Sequence, residues 1–247
     1  MRRRFFVERF VDNAAELRGE TAAHLSRVLR AEPGQLYELS DGRELWLARI
    51  ERVGREEIDF ALVEQLPVVA PRFEIALLLS IVKMDRFEWA LEKATELGVS
   101  AIVPLAAERS EKALVAAAPK RAPRWEKILR ESAQQSRRLR PPILRPMAFP
   151  QDAFRAAAPE SLRILFSERP SAAALRTAIF PTTKIGDRSD ESSRRFALAI
   201  GPEGGWTDGE FAAAAAAGFV EASLGENILR TETAVCAALA AVVFAFG

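Results

Sequence analysis

Two short segments carry residue types suited to group-transfer chemistry. One is Ile200-Gly201-Pro202-Glu203-Gly204-Gly205-Trp206, in which three glycines surround a proline and a carboxylate. Glycines at such a density let main chain approach a ligand closely. The other is Leu224-Gly225-Glu226-Asn227-Ile228-Leu229-Arg230-Thr231-Glu232-Thr233-Ala234, with a cation and a carboxylate two residues apart. Each segment follows a short apolar run and precedes a helix-like pattern. That puts both at the carboxyl ends of strands, where open α/β sheets bind ligands. Taken alone, a Gly-Pro turn would explain the first segment and a helix cap the second.

Other chemistries are excluded by the residues at hand. A single cysteine, Cys236, leaves no internal disulfide framework and no Cys-rich zinc site. A single histidine, His24, removes multi-histidine metal sites and the HExxH motif. His24 stands beside Leu25 in an N-terminal helix pattern and reads as a packing or RNA-contact residue. There is no GxGxxG, no GxxxxGK[ST] and no GxSxG.

The formal net charge is +1, but it is unevenly spread. Residues 1–71 carry 11 basic and 13 acidic side chains, whereas residues 109–145 carry 11 basic and 3 acidic. The basic stretch includes Arg109, Lys112, Lys120, Arg121, Arg124, Lys127, Arg130, Arg137, Arg138, Arg140 and Arg145. A solvated helix face would account for part of it. The three arginines of Gln134-Gln135-Ser136-Arg137-Arg138-Leu139-Arg140-Pro141-Pro142 fit a phosphate polymer better, because each guanidinium can bond two oxygens at once.

The elements that position these residues fall into two grammars. Up to residue 70 the pattern is short strands with one helix. Phe5–Val7 starts a strand, and Thr21–Leu29 is a helix with Leu25, Val28 and Leu29 on one face. Gln35–Ser40 and Glu44–Ile50 flank Asp41-Gly42 as a hairpin, and Glu57–Val63 is a further strand. The number of strands suggests a small β-barrel. Residues 67–71 read as a linker. From residue 72 onward strands and helices alternate, which predicts an α/β domain with a mainly parallel sheet. Its strands are Phe73–Val82, Val99–Leu105, Ser161–Phe166, Phe196–Ile200 and Val220–Leu224. Its helices are Asp85–Leu97, closed by Gly98, then Trp125–Ser136, one after the Thr207–Glu210 capping box, and a last apolar and therefore buried one that Thr231 can cap. The polar stretch Thr182–Arg195 reads as a surface loop. The longest apolar run, Ala234–Phe246, is 13 residues, short of the roughly 20 that span a membrane. Met1–Arg4 is basic, but too short an apolar stretch follows for a leader. These features predict a soluble protein of a reducing compartment.

Taken together, the motifs resemble the ribosomal RNA small subunit methyltransferase E (RsmE) family. The likeness rests on IGPEGGW, on LGxxILRTETA, and on Lys83-Met84-Asp85-Arg86-Phe87-Glu88-Trp89 running to Lys93-Ala94-Thr95-Glu96-Leu97-Gly98-Val99. It also rests on Arg4-Phe5-Phe6-Val7, on His24-Leu25-Ser26-Arg27-Val28-Leu29-Arg30 and on Glu131–Pro142, in family order along nearly the whole chain. Two positions depart from the family pattern: Arg137 stands where glycine is usual, and Asn227 where arginine is frequent.

The resemblance implies a PUA-like β-barrel over residues 1–70 and a SPOUT domain with a trefoil knot over 72–247. It implies a cytoplasmic homodimer that binds no metal and no membrane. Its activity would be transfer of a methyl group from S-adenosylmethionine to N3 of a uridine in 16S rRNA of the 30S subunit, position 1498 in the usual bacterial numbering. The expected cofactor pocket comprises Phe166, Ser167, Glu168, Ile200, Gly201, Pro202, Glu203, Gly204, Gly205, Leu224, Gly225, Asn227, Ile228 and Leu229. Arg230 is the first candidate to stabilise charge on the uridine and Arg138 the second; Glu232 is a candidate proton acceptor or partner orienting Arg230. Arg4, His24, Arg27, Arg30, Arg109, Arg137, Arg138 and Arg140 are candidate RNA contacts. The rival functions are methylation of another RNA by the same fold, and non-catalytic rRNA binding during ribosome assembly. A metabolic α/β enzyme would need a cofactor fingerprint that the chain lacks.

Overall fold

The structure, a computed structural model, describes residues 3–157, 161–180 and 194–247. The expected loop at Thr182–Arg195 lies almost wholly outside them; only its last two residues are described, and they open a strand. The chain divides into two compact units, residues 1–70 with 130–141, and residues 71–129 with 142–247.

The first unit contains β1 (Arg4–Phe6), β2 (Phe10–Val11), β3 (Ala14–Arg18), α1 (Gly19–Arg27), β4 (Leu36–Ser40), β5 (Leu45–Val53) and β6 (Glu57–Gln65). They form one six-stranded sheet in the order β1-β4-β5-β6-β3-β2. All its pairings are antiparallel except β1 with β4. Alternation drives the packing: Ile58, Phe60 and Leu62 of β6 point inward with Leu17, Leu25, Leu39 and Ile50. The expected hairpin is β4–β5. A second hairpin, β2–β3, escaped the sequence reading because its turn residues Asp12 and Asn13 are not followed by glycine. Both adopt positive φ, +48° and +62°, as a tight hairpin turn requires. Val28 does not join the buried face of α1 and is 64 % exposed. The helix ends at Arg27, so the helical period no longer governs the next side chain.

Residues 130–141 complete this unit. Arg130 donates to the Phe6 carbonyl at 3.0 Å and Ser40 Oγ to the Leu139 carbonyl at 2.6 Å.

The second unit contains β7 (Phe73–Ser80), α2 (Met84–Glu96), β8 (Ala101–Leu105), α3 (Lys112–Gln135), β9 (Ile143–Leu144), α4 (Pro150–Ala156), β10 (Leu162–Phe166), β11 (Ala173–Ala174), α5 (Leu175–Ile179), β12 (Arg194–Ile200), α6 (Asp208–Ala216), β13 (Val220–Ser223) and α7 (Thr231–Phe246). The last turn of α3 belongs to the first unit. The sheet runs β11-β13-β10-β12-β7-β8-β9, and every pairing is parallel. Its strands are apolar on both sides, as a parallel sheet covered by helices demands. Ile75, Leu77 and Leu79 of β7 join Phe196 and Leu198 of β12 in a core shared with α2 and α7. Leu78, Ala197 and Ala199 point the other way, toward Phe154 of α4 and Ala214 of α6.

Three expectations about helices need correction. α3 begins at Lys112, well before Trp125, and runs through Pro119 and Pro123. Both prolines are exposed, so the carbonyls they leave unpaired face water and the helix tolerates them. Thr231 is the first helical residue rather than the cap; Arg230 occupies the cap position. α7 buries Ala234, Val235, Ala238, Leu239 and Val242, yet Phe244 near its end is 93 % exposed. The capping box of α6 is present: Thr207 N–H donates to Glu210 Oε2 at 2.8 Å, and Glu210 N–H donates to Thr207 Oγ1 at 3.4 Å.

Candidate active site

Strands β13, β10 and β12 are neighbours and parallel, so their carboxyl ends open on the same edge of the sheet. The loops leaving them are 167–172, 201–207 and 224–230. These loops enclose a cavity of about 650 Å³, in the range of small-molecule and cofactor sites. All fourteen residues expected to form the pocket line it, from Phe166 through Ile200–Gly205 to Leu224–Leu229. Arg230 lines it too.

The glycine-rich loop is held from several sides. Trp206 is buried, and its indole N–H donates to the Phe166 carbonyl at 3.0 Å, tying the β12 loop to the end of β10. A Cβ on Gly201 would stand 3.0 Å from that indole, so only glycine lets the main chain pass the ring. Arg109 donates to the carbonyls of Gly204 and Trp206 at 3.0 and 3.3 Å. Thr231 Oγ1 lies 3.5 Å from the Gly201 carbonyl. In the third loop, Gly225 has φ +136°, a conformation for glycine, and its N–H meets Ser223 Oγ at 3.2 Å.

The cavity walls combine apolar side chains (Phe166, Ile200, Leu224, Leu229) with the carboxylates of Glu168, Glu203 and Glu226 and the main-chain groups of three loops. That set fits a nucleoside bearing a cationic group: apolar walls for a purine, peptide N–H and C=O for its edges, and carboxylates for the positive charge.

Sequence reasoning missed several side chains of the wall, among them Arg86, Arg169, Trp206 and Phe211. Arg86 follows the apolar run of β7, and the same strand-end logic that selected the two glycine loops selects it as well. Arg169 stacks on Phe211, with its guanidinium carbon 4.1 Å from the ring centroid. No local pattern announces that contact, because Phe211 belongs to a helix a different strand leads into.

The remaining candidates separate. Glu232 does not line the cavity. Its Oε1 lies 3.9 Å from Arg86 Nε, and Oε2 is buried with no hydrogen-bond partner; its charged neighbour is therefore Arg86 rather than Arg230. Arg138 belongs to the first unit, and desolvation, aided by the charge of Arg140, pushes its pKa down to about 10. Arg4 is spoken for internally: it pairs with Glu38 at 2.8 Å and donates to the Arg137 carbonyl. His24, Arg27, Arg30 and Arg140 are exposed in the first unit. Arg137 is partly buried with φ +56°, which explains why glycine suits that position. Arg109 is a wall residue of the cavity. The first unit also groups Glu16, Glu57 and Asp59, but Arg52 pairs with Glu57 at 3.1 Å and with Asp59 at 2.6 Å.

Residues 70–243 match the model of an RNA methyltransferase domain family. The chain is 32 % identical to a ribosomal RNA small subunit methyltransferase E of Synechocystis, over 95 % of this chain and 74 % of that protein. It belongs to the ribosomal RNA small subunit methyltransferase E family. Solved structures agree. The Neisseria gonorrhoeae ribosomal RNA small subunit methyltransferase E bound to S-adenosylmethionine superposes with TM-score 0.84 at 30 % identity, covering 100 % of this chain and 99 % of that one. A putative methyltransferase of Legionella pneumophila, also in complex with S-adenosylmethionine, gives 0.85 at 30 % identity over 99 % and 98 % of the two chains. Membership of the ribosomal RNA small subunit methyltransferase E family accounts for the pairing of glycine-rich loops with a cavity at a parallel sheet's edge.

Proposed function

We propose that this chain transfers the methyl group of S-adenosylmethionine to N3 of a uridine in 16S rRNA, at position 1498 in the usual bacterial numbering. One observation carries the reading: in a member of this family, three adjacent parallel strands deliver GPEGG, ILRTETA and the Phe166 loop to a single cavity. Bound there, S-adenosylmethionine supplies an electrophilic methyl on a sulfonium, and no metal is needed.

The chain's own residues do the rest. The main chain of the three loops holds the adenosine, and Glu168 and Glu226 offset positive charge. Fixing base and methyl in line contributes up to about 7–11 kcal/mol. Uridine N3 is a poor nucleophile while it carries its proton, and passing that proton to solvent leaves negative charge on O2 and O4. Arg230 is exposed, stands on the cavity wall and pairs with no other described residue, so its guanidinium is available to that charge. Arg138, already desolvated in the first unit, is the weaker candidate.

The first unit, read as the PUA-like barrel, would grip the rRNA backbone through His24, Arg27, Arg30 and Arg140, with the basic face of α3 contributing Lys120, Arg121 and Lys127. The trefoil knot of this reading is supported by the strand order β13-β10-β12-β7, in which late strands enter between earlier ones. A homodimer is what membership of the family leads us to expect, and Phe244 on α7 is an exposed apolar side chain that a second copy would cover. Among the described residues no helix is long and apolar enough to cross a membrane, and a ribosomal RNA substrate supports a cytoplasmic location.

The test is to incubate the protein with methyl-labelled S-adenosylmethionine and unmethylated 30S subunits, then digest the RNA to nucleosides. Label in 3-methyluridine at one site is expected. Label in another nucleoside would move the target, and no label would leave the non-catalytic assembly factor.

A further inference from the structure

Arg86 connects three pieces of the site. It stands in the first turn of α2, just past the end of β7, and lines the cavity. One edge of its guanidinium bonds Glu203, inside the glycine-rich loop. Its Nε approaches Glu232 of the first turn of α7 at 3.9 Å. Glu232 is largely buried, 15 % exposed at the side chain, and its other oxygen has no partner.

Trp206 and Arg109 secure only the Gly204–Trp206 half of the loop, through the Phe166, Gly204 and Trp206 carbonyls. Among the described residues, the side-chain tie of the Pro202–Glu203 half is the Arg86–Glu203 pair. A planar guanidinium can serve two carboxylates in fixed directions, which an ammonium cannot. Glu232 backs the far edge of the same guanidinium.

We propose that Arg86 is a positioning residue: braced by Glu232, it locks Glu203 and the Pro202 half of the loop into the shape that receives S-adenosylmethionine. The inference rests on the cavity being the S-adenosylmethionine site. It also reassigns Glu232 from proton transfer to support of Arg86.

The experiment is calorimetric titration of the full chain with S-adenosylmethionine, joined to melting curves and to kcat at saturating cofactor. Arg86→Gln is expected to raise Kd about tenfold through lost preorganisation, with kcat at saturation within roughly threefold. Glu203→Gln should raise Kd severalfold, and adding it to Arg86→Gln should cost nothing further, because both remove one interaction. Arg86→Lys should recover part of the affinity. The melting temperature of Glu203→Gln should stay close to wild type, since a partly exposed ion pair contributes little stability, whereas Arg86→Gln also leaves the buried Glu232 carboxylate without its cation and should melt lower. Because Glu203 is in an exposed loop, its variant keeps the test available even if Arg86→Gln does not fold. Unchanged Kd in Arg86→Gln and Glu203→Gln, multiplicative losses in the double variant, or a fall in melting temperature without a change in Kd would each overturn the proposal. A wild-type chain that shows no binding would instead overturn the cofactor reading itself.

Discussion

The two units use charge in opposite ways. In the antiparallel unit the arginines are scattered: Arg4 is drawn inward to Glu38, Arg52 pairs with Glu57 and Asp59, and Arg27, Arg30 and Arg140 are left in solvent. In the parallel unit four arginines, Arg86, Arg109, Arg169 and Arg230, stand around one cavity. Topology makes the difference. Parallel strands point their carboxyl ends the same way, so loops far apart in sequence meet at one edge. An antiparallel meander sends its loops to both ends and spreads its functional groups over a surface. The first design suits a small ligand held from several sides, the second a backbone of phosphates gripped at many weak points.

Substitutions in each unit test that difference. Trp206→Ala removes a buried aromatic that joins two loops of the parallel unit. It should cost about 3–5 kcal/mol of stability, and denaturant unfolding would show the loss in that unit. Were its stability unchanged, the loops would not depend on each other. Arg230→Ala should lower turnover by about 10²–10³, near 2.7–4 kcal/mol, while binding of S-adenosylmethionine changes by no more than a few-fold. Equal loss of both would make Arg230 a structural residue. In the antiparallel unit single changes should be milder. Arg27→Ala should weaken rRNA binding uniformly and lower the slope of log affinity against log salt by about 1. An unchanged slope would remove Arg27 from the phosphate contacts. The smallest effect concerns Arg137, whose φ is +56°. Arg137→Gly should exceed Arg137→Ala in stability by roughly 1 kcal/mol, because only glycine adopts that conformation without strain. Equal melting temperatures would refute the strain argument.

Much of this was legible in the sequence, for physical reasons that also mark where legibility stops. Doubly buried strands such as Phe73–Ser80 read as continuous apolar runs, and a glycine loop after such a run has few places to be. That is why the GPEGG and ILRTETA loops could be placed at one edge of the sheet, while the individual pocket residues came from the family resemblance. The β2–β3 hairpin was hidden because Asp12 and Asn13 take up positive φ without a glycine. The first half of α3 was hidden because Pro119 and Pro123 break the usual rule, harmlessly, on an exposed face. The neighbours of Glu232 were out of reach: Arg86 is far from it in sequence, and only the packing of α2 against α7 brings the first turns of those helices together. Adjacent sequence suggested Arg230 as its partner. The internal use of Arg4 was equally invisible, since Glu38 and residues 130–141 come to it through sheet pairing and a late return of the chain.

In the proposed function the three loops of the parallel unit, and no part of the antiparallel unit, hold the methyl donor. Hydrogen exchange of the full chain with and without S-adenosylmethionine tests it directly. Slowed exchange confined to residues 166–170, 200–206 and 223–231 is the result expected. Protection centred on residues 3–70 or 130–141, or none at a saturating concentration, would contradict the account.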